Sequence, residues 1–161
     1  MFKKLVLIGL IFSACNFEAP TEFTELALNN DLISMQHKKV PLKEILKKHK
    51  GKKILINIWA SWCGDCIVGI PKLKELQTNY PDVEYVFIST DRNLFSWKKA
   101  IDKYKIKGSH YFLKKGLDTD LGDFLNSNWI PRYLVVNENG FVDLFKAKKI
   151  TDPRIVEAIK K

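Results

Sequence analysis

A chain of 161 residues with 46% apolar side chains is long enough to close one core of ordinary size and too short for two, since domains cluster near roughly 100–150 residues. Its formal charge of +9 comes almost wholly from lysines, spread as KK, KKHK, GKK and KAKK. The arginine-rich or aromatic-interleaved face of a nucleic-acid binder is missing, which excludes that partner class and leaves a solvated basic surface that also tolerates anionic lipid headgroups.

The first fourteen residues, MFKKLVLIGLIFSA, place Lys3 and Lys4 before an apolar run and two small residues before Cys15. This is the layout of a signal peptide over 1–14. The run is about half the ~20 residues that a spanning helix needs. FSAC resembles the lipobox of bacterial lipoproteins, with Phe12 in place of the usual leucine; lipidation of Cys15 and export to the cell envelope or periplasm are the expectation. Residues 15–30, with Pro20 and three asparagines, read as a lipid-anchored tether whose FTELAL piece docks on the folded body.

From Asp31 to the C-terminus the pattern is globular. LISM is a short apolar piece followed by a turn. In PLKEILKKH, Leu42, Ile45 and Leu46 fall at helical spacing, with Pro41 in the first turn. KKILINIWA is β-branched, aromatic and apolar on both faces, as a strand buried between two layers is. It runs directly into Trp62-Cys63-Gly64-Asp65-Cys66. Ile67, Ile70, Leu73 and Leu76 then mark a helix that Pro71 should kink. VEYVFIST predicts a second strand, LFSWKKAIDKY a helix, HYFL a short strand, and GLDTDLGDFLNSN a short helix and loop. RYLVVN and FVDLFK flank ENG as a hairpin, and Asp152-Pro153 opens a last helix. This order predicts an α/β fold: a central mixed sheet with helices on both faces.

Cys63 and Cys66 admit three readings: a redox pair, half of a metal site, or a disulfide that only staples a helix start. Four-coordinate zinc needs more ligands than His37, His49 and His110 can supply with no second CxxC or HxxxH, so no resident metal or cofactor is expected. Copper handling is the form in which the metal reading survives.

The strand ILINIWA, the motif WCGDC at the following helix start, Pro71 inside that helix and Ile130-Pro131 before the hairpin together resemble the thioredoxin superfamily. The resemblance is narrower to the exported, membrane-anchored reductases of the ResA and TlpA type, and covers about residues 31–161. It implies a thioredoxin-like domain that reduces protein disulfides and is recharged by an upstream membrane electron donor. It also implies a cis bond into Pro131, packed beside the cysteines, with the Ile130 backbone left to pair with an extended substrate. A peroxiredoxin, which shares the fold, would carry Pro and Thr where this chain has Ile56 and Ala60.

Chemistry assigns the roles within the pair. Unpaired N–H groups at a helix start favour thiolate, so Cys63, expected to be partly exposed, attacks. Cys66, one turn on, resolves the mixed disulfide. Gly64 and Asp65 tune the redox poise, and Asp65, in place of the histidine of strongly oxidising motifs, leans it towards reduction. Trp62 either flanks the sulfur or packs in the core. Two departures stand out. Asn57 occupies the position of the buried aspartate of thioredoxins, and Gly69 that of a glutamate found in many ResA-type proteins.

Overall fold

The computed structural model describes residues 19–161; the expected signal peptide over 1–14 and the expected lipidation of Cys15 lie outside the described residues. A single seven-stranded mixed sheet runs in the order β2-β1-β5-β4-β3-β6-β7. Its strands are β1 (Asp31–Ser34), β2 (Lys39–Pro41), β3 (Ile54–Trp59), β4 (Glu84–Ser89), β5 (Ser109–Phe112), β6 (Arg132–Val136) and β7 (Val142–Ala147). The helices are α1 (Glu25–Asn29), α2 (Leu42–Lys48), α3 (Gly64–Val68), α4 (Ile70–Asn79), α5 (Leu94–Tyr104), α6 (Asp120–Leu125) and α7 (Pro153–Lys160). All six residues of β3 are buried. Alternating side chains point to opposite faces, so both faces of the central strand are covered.

Strand direction decides where the chain ends meet. β4 runs parallel to β3 and pairs Ser89 with Trp59. β6 is antiparallel and pairs Arg132 with Ile58, and β7 returns to pair Ala147 with Tyr133. The segments after β3, after β4, before β6 and after β7 therefore converge on one end of the sheet. Cys63, Asp91, Pro131 and Lys148 all belong to these segments.

Three local expectations are corrected. The folded body begins before Asp31, inside the segment read as tether. Thr24 caps α1 and accepts from the Ala27 amide, Ala27 is buried, Phe23 lies 4.9 Å from Phe124 ring to ring, and the Val142 amide donates to the Thr21 carbonyl at 2.7 Å. FTELAL does dock, by burying one small residue and one aromatic against α6. Pro41 is the N-cap of α2 and the last residue of β2, not a first-turn residue. The helix after Cys66 is divided at Gly69, two residues before Pro71, because proline has no N–H to give the carbonyl of Ile67.

Candidate active site

β3 delivers the chain to a tight turn in which the Cys63 amide donates to the Ala60 carbonyl at 3.1 Å. Cys63 then caps α3: its backbone is extended, and its Sγ accepts from the Cys66 amide at 3.1 Å. The two cysteines form a disulfide with Cα atoms 5.2 Å apart. One turn of helix sets that separation, which is why two intervening residues suffice. Directly across, the Ile130–Pro131 peptide is cis, and the Ile130 carbonyl lies 3.8 Å from Cys63 Sγ. The cysteines, Ile130 and Pro131 are thus brought together, as the resemblance implies.

Exposure differs from expectation. Cys63 is 6% exposed and Cys66 4%, so accessibility barely separates them while they are bonded to each other. What separates them is the hydrogen bond. An amide aimed at Cys63 Sγ stabilises negative charge there once the disulfide opens. Trp62 is 63% exposed, so it does not pack in the core. The fully buried tryptophan of this stretch is Trp59. Gly64 and Asp65 are both exposed.

The two departures from the resemblance occupy one place. Asn57 opposes Tyr133 across the β3–β6 ladder, so their side chains leave the same face of the sheet. Asn57 is buried and its Oδ1 has no hydrogen-bond partner. A Cβ placed on Gly69 would meet the Tyr133 hydroxyl, the Cys66 carbonyl and Ile150 Cγ2, each at 3.4 Å. The Tyr133 ring therefore reaches the α3–α4 junction, where a longer side chain on residue 69 would begin. Burial pushes the Tyr133 hydroxyl well above the usual tyrosine range, so it stays neutral. On this face of the sheet, behind the α3–α4 junction, stand an amide and a phenol, and neither releases a proton near neutral pH.

A carboxylate does stand at this end of the sheet, and motif reading passed it by. Asp91 is 2% exposed. It accepts from the Ser61 amide at 3.0 and 3.1 Å, from Ser61 Oγ at 2.5 Å and from Ser89 Oγ at 2.7 Å. Next to it, the Thr90 amide donates to the Trp59 carbonyl at 2.8 Å. These bonds clamp the turn that carries Trp62 and Cys63 to the end of β4. Its signal in the sequence is an aspartate directly after an all-apolar strand, where an acid is buried only if donors await it. Asp91→Asn should cost about 2–3 kcal/mol in urea unfolding of the oxidised protein, because the amide turns a donor towards one of those donors. A loss below about 0.5 kcal/mol would show that the clamp contributes nothing.

Comparison with known proteins follows the same lines. Residues 51–142, which include Cys63, Cys66 and Pro131, match a family model described as thioredoxin-like. The thioredoxin-like protein YneN of Bacillus subtilis is 30% identical over 104 residues, 62% of this chain and 59% of that protein. The thiol-disulfide oxidoreductase ResA of Bacillus thuringiensis is 29% identical over 83 residues, 50% of this chain and 46% of its own length. The chain thus spans about half the length of the curated relatives it matches. A Bacteroides vulgatus protein described as a thiol-disulfide oxidoreductase, solved in solution, is 30% identical and superposes with a TM-score of 0.66 over 81% of this chain and 83% of its own. A Chlorobium tepidum protein described as a thiol:disulfide interchange protein DsbE shares the fold at 21% identity, with a TM-score of 0.66 over 87% and 97% of the two chains. With more than half of its length matched by that model, around the cysteine pair and the proline that faces it, this chain belongs to the thioredoxin-like family.

Proposed function

We propose that this protein is a thiol–disulfide oxidoreductase of the bacterial cell envelope that reduces disulfides in protein substrates. The observation that carries the reading is the Cys63–Cys66 disulfide at a helix start, with the Cys66 amide on Cys63 Sγ at 3.1 Å and the Ile130 carbonyl 3.8 Å away. In the reduced protein, Cys63 thiolate attacks one sulfur of a substrate disulfide, forming a mixed disulfide and releasing the other substrate sulfur as a thiolate. Cys66, losing its proton, then attacks Cys63 Sγ and expels the second substrate thiolate. Two electrons pass from the protein dithiol to the substrate, and the protons of the dithiol end on the leaving thiols. A membrane-bound dithiol donor restores the starting state.

Trp62 and the Ile130 backbone, turned by Pro131, hold the substrate segment beside Cys63. Cys15 carries the lipid that keeps the domain at the membrane; among the described residues no helix is long and apolar enough to cross one. Reduction of insulin by dithiothreitol tests the activity: catalysed precipitation is expected, and its absence would leave the disulfide a staple. Mass spectrometry of the processed protein tests the anchor, since an unmodified Cys15 would remove it.

Asp65 leans the redox poise towards reduction. Its charge lies in the first turn of α3 and disfavours the Cys63 thiolate, which destabilises the reduced form. Because Asp65 is exposed, the coupling is discounted to about 0.7 kcal/mol, equivalent to a shift of order 15 mV. Asp65→Asn should move the potential to less negative values by that order in glutathione equilibration. An unchanged value would leave Asp65 as a helix-start residue only.

A further inference from the structure

Trp59 and Trp97 are fully buried, whereas Trp62 is 63% and Trp129 59% exposed. The exposed pair is placed with respect to the chemistry: each immediately precedes one of the two groups in contact, Cys63 and Ile130. An aromatic left in water next to a reactive sulfur is unspent apolar surface. The backbone behind Trp129 is held, with Ser127 Oγ donating to the Trp129 carbonyl at 3.1 Å and accepting its amide at 3.3 Å.

The end of β7 supplies a second, different feature. Ala147 pairs with Tyr133, two residues beyond Pro131, and the chain continues as Lys148-Lys149-Ile150, whose Ile150 methyl lies 3.4 Å from where a Gly69 Cβ would stand. Lys148 and Lys149 therefore flank the α3–α4 junction. Both are exposed, and among the described residues no salt bridge involves either. Lys146 donates to the Asn126 carbonyl at 3.3 Å, joining this edge to the segment that leads to Trp129. Together with Arg154, these three lysines line a shallow cleft. The acid in that cleft, Asp152, is occupied by Arg154 at 2.6 Å. Glu157, one turn further along α7, also acts on Arg154, and its charge is set against Lys146, Lys148 and Lys149 at the same edge.

The geometry points to a docking edge for one class of substrate: an extended protein segment whose cysteine lies close to a large apolar residue and to acidic residues. The apolar residue lodges on Trp62 and Trp129, and the acidic residues meet Lys148 and Lys149. This rests on the disulfide-exchange reading and adds a charge preference to it. Complementary charge at a rim acts chiefly on the encounter rate and is screened by salt.

The test uses three synthetic peptide disulfides, each a dimer through a single cysteine beside a phenylalanine, flanked by Asp, Asn or Lys residues. The reduced full chain is mixed with excess peptide, and each second-order rate is divided by that peptide's rate with dithiothreitol, a neutral dithiol. The Asp peptide should react about tenfold faster than the Lys peptide at low ionic strength, and the gap should close in 0.5 M salt. In Lys148→Glu/Lys149→Glu the order should invert, with the Asn peptide within about twofold of wild type. Lys48→Glu/Lys50→Glu, at the other end of the sheet beside His49 and Glu84, carries the same charge change and should keep the wild-type order. A wild-type order retained in Lys148→Glu/Lys149→Glu, or no order in the wild type, overturns the docking edge while leaving the exchange reading intact. Retained order with loss of binding to phosphatidylglycerol vesicles overturns it too, and assigns these lysines to the membrane surface. If no peptide and no insulin is reduced, the exchange reading itself fails.

Discussion

Cys66→Ser should accumulate mixed disulfides with substrate proteins, visible on a non-reducing gel, while Cys63→Ser accumulates none. Both should reduce insulin no faster than dithiothreitol alone. Residue burial does not account for the asymmetry, since the two cysteines are almost equally covered in the disulfide. It comes from the hydrogen bond of the Cys66 amide to Cys63 Sγ, which favours thiolate at residue 63 and has no counterpart at residue 66. With Ser at position 66 the first attack still runs and the resolving sulfur is gone, so the covalent complex persists. Loss of fold is a separable effect. Opening a disulfide that spans three residues removes about 2 kcal/mol of chain-entropy stabilisation, and reduced wild type is the reference that cancels it. Equal trapping by both variants would remove the assigned roles.

Much of this arrangement is legible in the chain because apolar pattern and direction dictate it. A β-branched run buried on both faces must be a central strand. That Pro131 lies beside the cysteines is implied by the resemblance to the thioredoxin superfamily rather than by the pattern, and the antiparallel pairing of β6 with β3 is what delivers it there. HYFL reads as a short strand; its place between β4 and β1 is fixed by pairing on both sides, which four residues do not advertise. The start of the body is not legible because Phe23 and Ala27 bury too little surface to show a period. Asp91 is hidden for a different reason. Its donors, Ser61 and Ser89, lie 30 and two residues away, and only the parallel register of β3 and β4 makes them neighbours. Tyr133 reads as one more apolar strand residue until the helix break at Gly69 gives its hydroxyl a place. Asn57 is the opposite case: the departure was plain in the sequence, but its consequence needed the fold.

That consequence can be measured by putting the acid back. Asn57→Asp places a carboxyl where the present Oδ1 is buried without a partner, beside a Tyr133 hydroxyl that burial keeps neutral. Desolvation should raise the folded-state pKa of the introduced acid by about 2–3 units above its unfolded value of about 3.9. The sign follows from proton binding. Below pH ~4 the acid is protonated in both states, and the variant should unfold close to wild type. As pH rises past ~4 the unfolded chain releases the proton and the folded protein retains it, so stability falls by about 1.4 kcal/mol per unit. The fall should stop near the folded pKa, at about pH 6–7, with about 3–4 kcal/mol lost. Asn57 itself does not titrate, so the difference between variant and wild type isolates the site. Urea unfolding of both oxidised proteins from pH 4 to 8 measures it with no thiol titrating. The same acid should leave a mark on the chemistry, because an ionised carboxylate at this position can take the Cys66 proton that neither the amide nor the phenol now accepts. Resolution of a preformed mixed disulfide should then gain a new limb in its pH–rate profile, centred on the pKa read from stability. A stability difference that is flat across the range would mean that position 57 already holds its polar groups as comfortably as water does, and that the missing acid imposes nothing on this fold.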